Sequence, residues 1–490
     1  MGKELTDYFI YRWRYVLGYG LIAILIIGML IVAGLFIPGG LSQSEMQSVV
    51  TSNTATFSLS SFNPDSVINL PYHLLQHASI NLLGVSIFSV KLPSLLLGLF
   101  SAAGMFMLLR TWFRENVAVL TAIIVITTGQ FLFVAQSGTS SIVYIFWSVW
   151  LLVLAMLISR RTGWTTVWKI ALFAIAALSM YTPLSPYILI ALASAIMLHP
   201  HLRYLVRQLS KVKIAIGVVV ALILLTPLAY AIFLKPSIGL MVLGIPTTPI
   251  DFKANILQLL HQYFDFISPS SGIFMTPVYG LGSVILIILG IFQLVTTKYT
   301  ARSYITATWV VLLVPVLIIN PGYISVTFVP VMLLMAMGIH RLLNSWYSLF
   351  PRNPYARFAG LIPLIVLISG MVFTGVNRYM YGYAYDPQTA GNFSHDLRLV
   401  NIQLATAKKD NQSVTIVPSQ NELPFYAVIA KHNSNVQVNA QLPVALATAQ
   451  MIIVTHNAHM TDQSSQLYRI VTDSTSHNAD RLYIYKTVIK

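Results

Sequence analysis

Residues 88–114 read FSVKLPSLLLGLFSAAGMFMLLRTWFR, a long apolar run entered by Lys91 and closed by Arg110 and Arg114. About 20 such residues, coiled as a helix, cross the roughly 30 Å of hydrocarbon in a bilayer. The unit recurs. Similar runs lie near 17–37, 88–108, 116–134, 142–159, 166–183, 187–199, 214–234, 278–297, 303–319, 323–339 and 358–377, which predicts about eleven spans.

Composition points the same way. The chain is 56% hydrophobic and 9% charged, whereas a water-soluble domain carries about a quarter charged residues. The first run is too long for a signal-peptide core, and Phe36, Ile37 and Pro38 follow it in place of a small-residue cleavage site, so it reads as a retained anchor.

Cations near span ends mark the cytoplasmic side. Here Lys3, Arg12 and Arg14; Arg110 and Arg114; Arg160, Arg161 and Lys169; Arg203, Arg207, Lys211 and Lys213; Lys298 and Arg302; and Arg341, Arg352 and Arg357 occupy alternate connections. The opposite loops hold only Lys91, Lys235 and Lys253. This pattern predicts a multi-pass plasma-membrane protein with a cytoplasmic N-terminus and an extracytoplasmic C-terminal domain. The net charge of +15 follows from that topology and argues for contact with membrane lipids, with no nucleic-acid partner. Without cysteine there is no disulfide framework, thiolate nucleophile or thiolate metal site.

The fold class expected is an all-α polytopic membrane domain over residues 1–377 with a small α/β domain over 378–490. Two outer loops are long, 38–87 and 235–277, and such loops on a rigid scaffold commonly carry function. Leu41 to Val50, Pro71 to Leu83 and Ala254 to Phe264 read as short helices lying at the interface, able to wall a cavity. The basic stretch His199 to Lys213 reads as resting on the inner leaflet. In the tail, Ser413 to Pro418, Gln450 to His456 and Leu482 to Ile489 read as strands, and Ser394 to Lys408 and Pro443 to Ala449 as helices.

Only 14 carboxylates exist, and none falls inside a predicted span. Proton-coupled carriers usually relay charge through intramembrane ionisable groups, so a transporter is disfavoured. Glu45, Asp65, Asp251 and Asp265 are the acids of the two outer loops.

Three segments carry a family likeness: Gly39-Gly-Leu-Ser-Gln-Ser-Glu-Met46, Asn69-Leu-Pro-Tyr-His-Leu-Leu75 and Leu83-Gly-Val-Ser-Ile-Phe-Ser-Val-Lys-Leu-Pro-Ser94. Together they resemble the start of the GT-C glycosyltransferases, the family of bacterial protein mannosyltransferases and lipid A aminoarabinose transferases. The last string is the most specific. The resemblance covers about the first 200 residues and implies a GT-C-type fold. It also implies transfer of a sugar from a polyprenyl-phosphate donor to a lipid, protein or glycan acceptor of the cell envelope. Two departures stand out. The family's Asp-Glu pair is Ser44-Glu45 here, and its second acidic position falls in Gly138 to Tyr144, which has no acid.

Such chemistry needs a base near the acceptor hydroxyl and cations for the leaving phosphate. Glu45 is the expected base and Asp65 the second candidate; alternatively, the scaffold is catalytically degenerate and serves as a membrane binding protein. Lys91 stands where the resemblance places a donor-phosphate Arg, with Lys253 and Lys235 as weaker candidates of the same type. Tyr72, His73, His77, His261 and Asp265 are candidate substrate contacts. The sequence fixes no cofactor, and His73, His77 and His261 could hold a divalent metal.

Overall fold

The computed structural model describes residues 9–54, 62–160, 164–246, 249–266, 276–297, 300–349, 354–410, 412–440, 450–456, 458, 467–472 and 481–486. Each predicted apolar run is helical over most of its length. In chain order, α1 (Phe9–Leu35) leads to a two-residue strand β1 (Leu41–Ser42), then α2 (Gln43–Thr54), α3 (Leu70–Leu83) and α4 (Ile87–Trp112). Next come α5 (Glu115–Ile126), α6 (Gly129–Gln136), α7 (Ser141–Ser159), α8 (Thr165–Ser179), α9 (Pro186–Leu198), α10 (Pro200–Arg207) and α11 (Lys211–Leu234). The rest of the helical body is α12 (Ser237–Val242), α13 (Phe252–Phe264), α14 (Leu281–Thr296), α15 (Ala301–Ile319), α16 (Phe328–Leu349), α17 (Pro354–Ala359) and α18 (Leu361–Tyr385).

Among the described residues, six helices are long and apolar enough to cross a membrane, or up to eight if two bent pairs each form one span. The expected single span near 116–134 is one of those pairs, bent by 62° between α5 and α6. Two threonines cause the break. Thr127 Oγ1 bonds back to the Ile123 and Ile124 carbonyls, and the Thr128 side chain caps α6 by accepting from the Phe131 N–H. The other pair, α9 and α10, bends by 98° at Pro200.

Helices α4, α7 and α16 are largely buried inside the bundle, while α11 and α18 lie at its periphery. The α14–α16 contact is close because a Cβ on Gly290 would run into the Leu334 carbonyl and one on Gly338 into the Leu286 carbonyl. At one end of the bundle Arg302 bonds the Trp112 carbonyl, Arg160 bonds that of Thr111 and Arg110 pairs with Glu115. The start of α4 lies at the other end.

The string that carries the family likeness explains how α3 folds onto α4. Gly84 takes φ +74°, a turn conformation open to glycine. Ser86 then caps α4 in a capping box with Ser89. Pro93 has no N–H for the Ser89 carbonyl, and Ser79 Oγ from α3 supplies that bond at 2.6 Å.

The tail continues with α19 (Pro387–Ala390), β2 (Phe393–Ser394), α20 (Asp396–Lys409), β3 (Ser413–Val417), α21 (Leu423–His432), β4 (Val436–Val438), β5 (Gln450–Val454), β6 (Leu467–Thr472) and β7 (Arg481–Lys486). A mixed sheet runs β4-β3-β5-β7-β6, with β3 parallel to β4 and β5 and the remaining pairs antiparallel. The predicted helix at Pro443 to Ala449 lies outside the described residues.

The stretch expected to be one interfacial helix from Leu41 behaves differently. Leu41 and Ser42 pair with Ser394 and Phe393 as a two-stranded antiparallel sheet. Leu41, Met46, Val49 and Ile80 share one hydrophobic core with Leu397, Val400, Phe425 and Ile429 of the tail. Burying those side chains against the tail outcompetes a position flat on the membrane surface. Gly40 makes the approach feasible, since a Cβ there would sit 2.7 Å from the Ser394 carbonyl oxygen.

Candidate active-site cavity

Ser42-Gln-Ser-Glu45 opens α2 as a capping box. Glu45 Oε2 accepts from the Ser42 N–H at 2.7 Å, and Ser42 Oγ accepts in return from the Glu45 N–H at 3.3 Å. Ser42 Oγ also donates to Oε2 at 3.1 Å, while Oε1 accepts the Gly138 N–H at 2.6 Å. Lys91 Nζ stands 3.8 Å from Oε1 and donates to Gln136 Oε1 at 2.7 Å, and both charged side chains are buried to within 1%. This pair lies in the wall beneath the cavity described below, with neither member lining it.

Gln76 stitches the same wall. Its amide donates to the Val90 and Gly138 carbonyls, and its oxygen accepts from Ser48 and Ser52. Ser52 Oγ bonds His73 Nδ1 at 2.8 Å, and burial pushes the His73 imidazole down to about 4, so the ring is neutral at pH 7. Tyr72 is buried with its hydroxyl on Ser94 at 2.8 Å, and burial raises its titration above the usual phenol range. These candidates come together as one buried network.

The remaining candidates lie elsewhere. Asp65 pairs with Lys235 at 2.6 Å on the exposed surface, and Lys253 is exposed on α13. His77 bonds Asn81, and His261 bonds Asp265 within α13 and its C-cap. His73, His77 and His261 thus face different partners. Among the described residues no group of three His, Asp or Glu is placed to hold a metal.

A cavity of about 330 Å³ opens beside Ser44, next to the buried pair. Hydroxyls line it: Ser44, Ser137, Thr139, Ser140, Ser141, Tyr144, Thr182, Tyr323 and Ser325, with the Asn69 amide. Asn69 takes the left-handed conformation at φ 54°, held by its N–H on the Tyr181 carbonyl at 2.8 Å, and its Oδ1 has no partner among the described residues. Such backbone strain concentrates at functional sites.

A second cavity of about 380 Å³ shares Phe133 and Ile324 with the first. It is an apolar groove between α5, α14 and α18, bordered by Leu367, Gly370, Met371 and Gly375. Its one charged lining residue among those described is Arg378, whose guanidinium also donates to the Thr276 and Pro277 carbonyls.

Sequence reasoning did not single out Asn69, Tyr144, Tyr323 or Arg378 as site residues. A cation closing the last apolar run on the outer side was the available signal for Arg378. For Asn69, the signal was an Asn directly before Leu-Pro at a helix start.

Residues 71–230 match the family described as dolichyl-phosphate-mannose-protein mannosyltransferase. No curated protein sequence matches the chain. Among solved structures, ArnT from Cupriavidus metallidurans in the apo state is similar at TM-score 0.51 and 14% identity, over 96% of this chain and 98% of that one. The Archaeoglobus fulgidus oligosaccharyltransferase tethered with an acceptor peptide is similar at TM-score 0.51 and 11% identity, over 87% of this chain and 64% of that one.

Proposed function

Starting from the GT-C glycosyltransferase fold of this chain, we propose that it transfers a sugar from a polyprenyl-phosphate donor to an acceptor hydroxyl of the cell envelope. The reaction takes place on the extracytoplasmic face, opposite the end that gathers Arg110, Arg160 and Arg302. One observation carries this reading: an apolar groove bordered by the guanidinium of Arg378 meets a hydroxyl-lined cavity at a wall formed by Phe133 and Ile324. The isoprenoid would lie along Leu367, Gly370 and Met371 and the phosphate beside Arg378, with the sugar among Ser137, Thr139, Ser140 and Tyr323. Arg378 replaces Lys91 as the donor-phosphate residue, because Lys91 is enclosed with Glu45 and Gln136. Fixed hydrogen-bond donors and a guanidinium stabilise the charge that develops on a departing phosphate. The acceptor class stays lipid, protein or glycan.

A second reading, a scaffold that binds the carrier without chemistry, is favoured by the lining itself, which includes no Asp, Glu or His among the described residues of either cavity. The test uses purified protein in nanodiscs with labelled undecaprenyl-phosphate sugars. Transfer from at least one donor, lost in Arg378→Gln, supports the transferase. Donor binding without turnover supports the scaffold, and neither binding nor turnover sinks both.

A further inference from the structure

Ser44 occupies the position where the resemblance calls for an acid, and its hydroxyl is wired to one. Ser44 Oγ lies 3.0 Å from Ser42 Oγ, which lies 3.1 Å from Glu45 Oε2. The direction of these bonds follows from valence. Glu45 Oε2 only accepts, since the Ser42 N–H also points at it, so the Ser42 proton must lie toward Oε2. Ser42 Oγ then has only lone pairs left, and these take the Glu45 N–H and the Ser44 proton. Ser44, exposed in the cavity lining, therefore turns lone pairs toward whatever binds there.

We propose that Ser44 is a catalytic residue for the transfer suggested above, taking the acceptor hydroxyl's proton and relaying it through Ser42 to Glu45. This rests on the transferase reading. In the step, the acceptor O–H gives its proton to Ser44 Oγ as the Ser44 proton passes to Ser42 and the Ser42 proton to Glu45 Oε2. The acceptor oxygen's electron pair forms the bond to the sugar's anomeric carbon. The bond from that carbon to the phosphate oxygen breaks, and the phosphate leaves with its pair. Glu45 ends protonated and returns the proton along the same chain to the departing phosphate. Ser42 and Glu45 act as positioning and proton-holding residues that never touch substrate. The Gly138 N–H and Lys91 on Oε1 keep the carboxyl facing Ser42 throughout.

The experiment measures transfer by the full chain in nanodiscs across pH for the native protein, Ser44→Ala, Ser44→Asp, Ser42→Ala and the Ser42→Ala/Ser44→Asp pair, with thermal unfolding and donor binding recorded for each. General-base catalysis contributes about 10²–10⁴-fold, so Ser44→Ala should lower kcat by about a hundredfold or more with donor KM nearly unchanged. Ser44→Asp should restore transfer by placing a carboxylate directly in the cavity. Ser42→Ala should slow the native chain far more than it slows Ser44→Asp. The relay is overturned if Ser44→Ala keeps native kcat, or if Ser42→Ala slows both backgrounds equally through lost capping. A silent native chain that gains transfer as Ser44→Asp overturns the relay but keeps the donor site. Silence in both, with no donor bound, removes the transferase reading as well.

Discussion

Glu45 Oε1 accepts the Gly138 N–H at 2.6 Å across 93 residues of chain, joining the first turn of α2 to the loop between α6 and α7. With Lys91 from α4 on the same oxygen, one carboxyl fastens three elements at the floor of the candidate cavity. It does this while fully enclosed, so its contribution to stability is as large an issue as any chemistry.

Removing one member of a buried ion pair strands the other charge and typically costs about 3–5 kcal/mol, whereas replacing both with apolar groups is often neutral. Glu45→Gln should therefore lower the unfolding temperature sharply in detergent. Glu45→Gln/Lys91→Met should recover most of that loss while remaining inactive. Recovery of stability without recovery of transfer separates the two roles of Glu45, and thermal unfolding monitored alongside the transfer assay reads both.

Gly138→Ala tests the same junction sterically. A Cβ at this position would lie 2.7 Å from Val90 Cγ1 and 3.3 Å from Glu45 Oε1. Overpacking of this kind costs about 1–3 kcal/mol. The expected result is a lower unfolding temperature with a weakened Gly138–Glu45 contact, visible as faster amide exchange over residues 137–140. Native exchange in the variant would show that the loop tolerates the methyl group.

Much of the helical body was legible because a membrane span must be long, apolar and flanked by cations, as in 88–114. The tail strands β3, β5 and β7 were legible as apolar, β-branched runs. Strand β4 spans three residues, and β6 is an edge strand exposed along most of its length, so neither had a clear alternating pattern. Helix α21 carries Phe425, Tyr426, Val428 and Ile429, residues that favour strands, and packs as a helix because they fill the core shared with α2. At the site, the Ser42-x-x-Glu45 capping box was visible in the sequence, but the reading of Glu45 as a base passed over it. The Glu45–Lys91 and Asn69–Tyr181 contacts join distant parts of the chain and leave no local pattern.

His73 makes stability depend on pH. Its folded value of about 4 lies below the ordinary 6.5, so the unfolded chain binds more protons between those values and stability rises with pH there. The contribution is complete above pH 6.5 and is lost as pH falls toward 4, about 3 kcal/mol in all at roughly 1.4 kcal/mol per unit. Unfolding temperatures measured from pH 7.5 to 4 should fall across this window in the native chain and fall less in His73→Asn. Parallel slopes in the two proteins would assign the acid sensitivity to other groups.

The groove can be blocked without disturbing the fold. Gly370 borders it, and a Cβ there would meet no heavy atom within 4 Å, so a larger side chain projects into open space. In Gly370→Phe the ring would occupy volume assigned to the isoprenoid, displacing two or three methylene-sized groups worth ~0.8 kcal/mol each. That is about 2 kcal/mol, or roughly thirtyfold in donor affinity. Donor KM should rise by that order with the unfolding temperature unchanged. A water-soluble donor carrying a short prenyl chain should show little difference between the two proteins, because it does not reach position 370. If long and short donors are affected alike, or neither is, the isoprenoid does not lie along α18.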